Sequence, residues 1–199
     1  RGTFAVLDFQ LTPAGGVILV VTDGATTRIA GDLATLGYSV VSETAASTTP
    51  TSWPGYSLLV WSAGANESPV AQAGLRTALE SYAAAGGKLL IEGGEIGYDA
   101  CSSPTYPTFR DNVLHVTQWK TDNAGALSRY VPTHPIATTP NALPASYAVT
   151  YTAYGDEDAV VPAATATAVY RTTSPSTPVC GGVLAYDNDA DPANGQIVY

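Results

Sequence analysis

The chain has 199 residues, 45% hydrophobic and only 13% charged, with 8 basic against 17 acidic residues and a net charge of -9. That length and apolar content suit one folded domain and exclude a disordered chain, which combines low hydrophobicity with high charge. No apolar run reaches the roughly 20 residues of a membrane-spanning helix, and Lys and Arg never cluster as contact with a nucleic-acid backbone requires.

Phe4-Ala5-Val6-Leu7-Asp8-Phe9 is a short apolar run, so residues 1–16 read as an N-terminal edge strand or linker, with one domain over 17–199. Val17-Ile18-Leu19-Val20-Val21 is continuous and mostly β-branched, as in a strand buried on both faces of a parallel sheet. It ends in Thr22-Asp23-Gly24. Ile29, Leu33 and Leu36 recur at helical spacing, Gly37 stands at the expected C-terminal cap, and Tyr38-Ser39-Val40-Val41 is the next strand. Tyr56 to Trp61 is a further buried strand, ending in Ser62-Ala63-Gly64-Ala65-Asn66. The spacing of Val70, Leu75, Leu79 and Tyr82 predicts a helix over 67–85, closed by Gly86-Gly87, with Glu67 in its first turn. Lys88 to Glu92 is a fourth strand. Strands alternating with helices predict a doubly wound, mostly parallel α/β sheet.

Residues 98–146 are rich in Pro, Ser, Thr and Asn and show little periodicity, with Val113-Leu114-His115-Val116 as one apolar island. Tyr147 to Tyr151, Ala166 to Arg171, Gly182 to Tyr186 and Gln196 to Tyr199 read as short strands of an antiparallel C-terminal extension.

The polar residues are uncharged for the most part, a composition common in exported bacterial proteins, and the expected location is secreted or cell-surface. Cys101 and Cys180 lie in Ser/Thr/Pro-rich segments. In an oxidising compartment they are expected to pair across a loop of about 80 residues, on the order of 4 kcal/mol in chain-entropy terms; two unpaired thiols are the alternative. The chain starts without Met and stops within a strand, as a processed piece of a longer exported protein would.

The segments Val17 to Asp23, Tyr56 to Ser62, Leu79-Glu80-Ser81-Tyr82 and Gly86 to Ile91, with His134-Pro135-Ile136, Gly182 to Tyr186 and Gly195 to Tyr199 as the tail, resemble the class I glutamine amidotransferase-like family, whose fold is flavodoxin-like. The resemblance covers roughly residues 17–199 and rests on element order. It implies a cysteine nucleophile at the centre of a G-x-C-x-G bend after the fourth strand. Here that stretch is Gly93-Gly94-Glu95-Ile96-Gly97, so Glu95 stands at the nucleophile's position, and the family's His-x-Glu pair would follow Ile197, beyond Tyr199. The resemblance therefore implies a degenerate member without the usual glutaminase route.

Ligands of open α/β sheets bind at the carboxyl ends of the strands. That geometry predicts a crevice of Asp23, Gly24, Ser62, Asn66 and Gly94, with Glu95 either a catalytic base or an acidic helix cap. Asp187, Asp189 and Asp191 offer oxygens at alternating positions for calcium, or belong to a solvated hairpin; no other cofactor is expected. Asp156-Glu157-Asp158 reads as surface. His115 and His134 stand in no catalytic register. Trp53, Trp61 and Trp119 could make a sugar-stacking face, although Trp61 suits a core. The leading expectation is a non-catalytic interaction or scaffolding domain whose partners are other domains of the same longer chain or an extracellular protein. The alternatives are a hydrolase of carbohydrate or peptide using Glu95, and a carbohydrate-binding module that takes a glycan.

Overall fold

The computed structural model describes residues 16–24, 27–122, 125–139, 141–149, 154, 156–187 and 196–199. The apolar run at Phe4 to Phe9 lies outside them. Among the described residues, eleven strands form one mixed sheet. In chain order they are β1 (Val17–Thr22), β2 (Ser39–Thr44), β3 (Leu58–Gly64), β4 (Leu89–Gly93), β5 (Val116–Thr121), β6 (Leu127–Arg129), β7 (Ser146–Tyr147), β8 (Ala159–Pro162), β9 (Thr167–Thr172), β10 (Gly181–Asp187) and β11 (Gln196–Val198). Helices α1 (Ile29–Thr35), α2 (Ala73–Ala84), α3 (Ile96–Cys101), α4 (Pro107–Phe109) and α5 (Pro135–Thr138) are inserted between them.

The spatial order is β2-β1-β3-β4-β11-β10-β9-β6-β7, with β5 joined through β8 to β10. The first five strands of that order run parallel. Every pairing beyond β11 is antiparallel. The sheet is thus divided in two rather than mostly parallel. The C-terminal strand is no simple extension either: β11 sits between the halves, parallel to β4 through Ile197↔Leu89 and antiparallel to β10 through Tyr186↔Ile197.

Period-two alternation along the central strands sorts the core into two layers. Ile18, Val20, Leu58 and Val60 pack with Leu33 of α1. Leu19, Val21, Leu59 and Trp61 pack with Leu75, Leu79 and Tyr82 of α2 and with Ile96 and Ala100 of α3. The α1 face and the α2–α3 face are therefore opposite sides of the sheet. Gly37 adopts φ +93° where α1 ends, and its N–H donates to the Ala34 carbonyl, as expected of a C-terminal glycine.

Helix α2 starts at Ala73, six residues later than the apolar spacing predicts, so Glu67 is not in its first turn. Val70 explains the delay. It is buried with φ +50°, a left-handed conformation that no helix accommodates, and its N–H donates to Asp23 Oδ2 at 2.6 Å. The apparently aperiodic stretch 98–146 holds α3, α4, a π turn over Arg110–Leu114, β5, β6 and α5. Their shortness left no periodicity to detect.

Candidate functional site

The bend expected to carry the site lies between β4 and α3. The Gly94 N–H donates to the Gly64 carbonyl at 2.9 Å, which ties the bend to the end of β3. Glu95 directly precedes α3, but its carboxylate caps nothing. Asp158, far along the chain, does so instead. Its Oδ2 accepts the N–H groups of Gly97 at 2.8 Å and Tyr98 at 3.0 Å, and its Oδ1 accepts the Trp119 indole N–H at 2.7 Å. Gly97 allows this approach. A Cβ there would stand 2.9 Å from Asp158 Oδ2 and 2.6 Å from Val160 Cγ1.

Asp158 is therefore no surface residue; it is 6% exposed and shares the α3-facing side of its strand with Val160. Burial pushes its carboxyl up to about 8, against the pull of the Tyr98, Trp119 and Gly97 donors. Glu95 is raised to about 7, first by burial and then by the negative charges of Asp122, Asp99 and Asp156. Asp99 lies one turn beyond Glu95 on α3, its N–H donating to the Glu95 carbonyl at 2.9 Å. It is 3% exposed, its Oδ2 has no hydrogen-bond partner, and burial raises it to about 6 against the attraction of Arg76. Tyr98 and Trp119 stand beside these acids in an edge-to-face pair, ring centroids 4.9 Å apart. Glu157 points to the opposite side, beside Gly182. Both its oxygens are buried without a partner, and burial raises it to about 7.

The crevice residues do come together at the ends of β1, β3 and β4. Asp23 Oδ2 accepts the Trp61 indole N–H at 3.0 Å as well as the Val70 N–H, and the Asp23 N–H donates to the Ser62 carbonyl at 2.9 Å. The Asn66 amide donates to the Asp23 carbonyl at 2.7 Å and lies against Gly24. The Ser62 hydroxyl donates to Glu92, whose pKa is raised by burial. These groups satisfy one another. A hollow lined by Tyr56, Ser57, Tyr82, Gly86 and Lys88 lies at the other, amino ends of β3 and β4.

Cys101 and Cys180 are free thiols, contrary to the expected disulfide. Alternation along β8 separates them. Cys101 packs with the core that contains Val160, whereas Cys180 packs with Ala159 and Val161 on the other face. Burial pushes the Cys101 thiol up to about 11, which disfavours a thiolate nucleophile. His115 is stacked on Tyr186 with ring centroids 3.4 Å apart, and His134 Nδ1 accepts the Ile136 N–H at 3.3 Å; burial lowers the pKa of both. Trp53 and Trp61 are fully buried, which removes them from any sugar-stacking face. Asp187 ends β10 and accepts from Gln196 Nε2 at 3.3 Å, while Asp189 and Asp191 lie outside the described residues. Among the described residues no three His, Cys, Asp or Glu side chains converge to hold a metal ion.

Asp158, Asp99 and Glu92 escaped the sequence reading. The available signals were an acid directly ahead of the apolar run Ala159-Val160-Val161 and an acid closing a buried strand. No protein-family model matches the chain, and no curated protein matches it.

Proposed function

We propose that this chain is a non-catalytic interaction or scaffolding module of an exported, secreted or cell-surface bacterial protein, built on a degenerate amidotransferase-like, flavodoxin-like domain. The parallel strand order β2-β1-β3-β4-β11 supports the flavodoxin-like reading, because it follows the 2-1-3-4-5 order of that doubly wound fold. One observation carries the functional reading. The nucleophile's position in the bend holds Glu95, while both histidines and both thiols are engaged in packing elsewhere. A nucleophilic route needs an activated nucleophile and a base within hydrogen-bond reach of it.

The raised pKa of Glu95 favours a second reading, a hydrolase of carbohydrate or peptide with Glu95 as general acid or base. One experiment separates the two. Purified chain is incubated with glutamine, nitrophenyl glycosides and a casein-derived peptide mixture, alongside Glu95→Gln. The module reading expects no turnover by either protein. Turnover by the parent chain that Glu95→Gln abolishes would replace it with the hydrolase.

A further inference from the structure

An open sheet has free edges, and proteins blunt them with short strands, bulges or lysines. Among the described residues three strands border this sheet. β7 is two residues long. β5 pairs with β8 through shifts of register and carries Lys120. β2 has neither protection: its six residues, Ser39-Val40-Val41-Ser42-Glu43-Thr44, keep an unbroken register with β1 and include no Pro, Lys or Arg. The Thr22 carbonyl accepts the Ala45 N–H at 2.9 Å, so residues 39, 41, 43 and 45 turn their backbone groups toward β1. Val40, Ser42 and Thr44 turn theirs outward. Ser47 closes the carboxyl end: its hydroxyl accepts the Thr44 N–H at 3.0 Å, and its own N–H donates to the Thr44 carbonyl at 3.0 Å. No described strand takes up the outward N–H and C=O groups of Val40 and Ser42.

We propose that β2 pairs antiparallel with β2 of a second copy of this chain, giving a two-fold dimer with one sheet running through both copies. The strand complements itself in the register that places Val41 opposite Val41 of the other copy. Val40 and Ser42 then exchange both hydrogen bonds with Ser42 and Val40 of that copy, which uses every outward group that Ser47 leaves free. Val41 is exposed on the same side of the sheet as its neighbour Leu19, and in the dimer it packs on its own image. Glu43 stands opposite Ser39, so no like charges face each other directly. Since β2 is the unprotected edge among the described residues, this pairing consumes it in both copies and assembly stops at two. The dimer goes beyond the interaction-module reading: its loss would leave that reading open, and turnover of a substrate would leave the dimer standing.

The test is sedimentation equilibrium of the full chain at physiological salt, carried to about 1 mM because an interface this small is weak. A monomer–dimer equilibrium is expected, tightened by added salt because each copy carries a net charge of -9. Val41→Lys puts like charges face to face on the axis and should weaken the dimer at least tenfold, although it lowers the overall repulsion. Ser42→Pro removes an outward N–H without touching the pairing with β1 and should weaken it as much. Thr133→Lys, exposed in the antiparallel half, should leave it unchanged. Hydrogen exchange at the Val40 and Ser42 amides should slow as the dimer forms. A monomer throughout the range, undiminished association in Val41→Lys and Ser42→Pro, or equal weakening by Thr133→Lys would overturn the dimer. Species larger than two would overturn the closed two-fold register. A peptide of residues 38–45 should compete with the dimer. A scrambled peptide of the same composition that competes equally would overturn the second copy in favour of an extended segment of a different protein. Slow exchange of both amides in a monomer would assign the edge to another segment of the same chain.

Discussion

The ends of β1 and β3 and the surroundings of α3 carry the same kinds of side chain in opposite states. In the first region Asp23, Ser62, Asn66 and Glu92 are joined by hydrogen bonds to one another, to Trp61 and to the Val70 backbone. In the second, Asp158 alone is fully used, while Glu95 and Asp99 keep free acceptors among like charges. An acid at a strand end is therefore no sign of a site by itself. What matters is whether the fold has already supplied its donors.

Substitutions should separate these states, with the largest effect at the acid that holds most donors. Asp158→Ala strips acceptors from two backbone N–H groups and one indole N–H, and urea melts should show a loss of about 3 kcal/mol or more. Asp158→Asn keeps part of that set and should fall between. Asp23→Ala leaves the Trp61 and Val70 N–H groups without acceptors and should cost about 2 kcal/mol by the same measurement.

Acid–base titration should come next in size. Asp158 and Glu157 hold their protons more tightly folded than unfolded, with folded values of about 8 and about 7 against ordinary values of 3.8 and 4.5. Their contribution is present at low pH and is lost as pH rises through the folded values. Between pH 5 and pH 8.5 the thermal midpoint should drop by several degrees, and in Asp158→Asn that slope should shrink. The smallest effects belong to groups without partners. Glu95→Gln should leave the thermal midpoint unchanged at pH 4 and raise it slightly at pH 8.5, where it removes a charge that burial and like neighbours disfavour, and a reductant should leave the melting curve unchanged because there is no disulfide to break.

The parallel half of the fold was legible because its signals are local. Continuous apolar runs at Val17–Val21 and Leu58–Trp61 gave strands, and Ile29–Leu33 with Gly37 gave a helix and its stop. The start of α2 was not, since the spacing from Val70 to Leu75 suits a helix and only the bond to Asp23 reveals why Val70 turns away. The candidate bend was found by its glycines. Its cap was not, because Asp158 reaches α3 through the pairing of β5 with β8, a long-range contact without a sequence period. The same pairing decides the cysteines, whose separation depends on which face of β8 each one meets.

The most direct measurement is a carbon-detected NMR titration of the side-chain carboxyl groups, resolving Glu95 and Asp158. Glu95 should titrate near 7 and Asp158 near 8, with the Trp119 indole resonance moving along with Asp158. Ordinary values near 4 for both, with Trp119 insensitive to pH, would mean that neither the buried cap nor the uncompensated cluster exists as described.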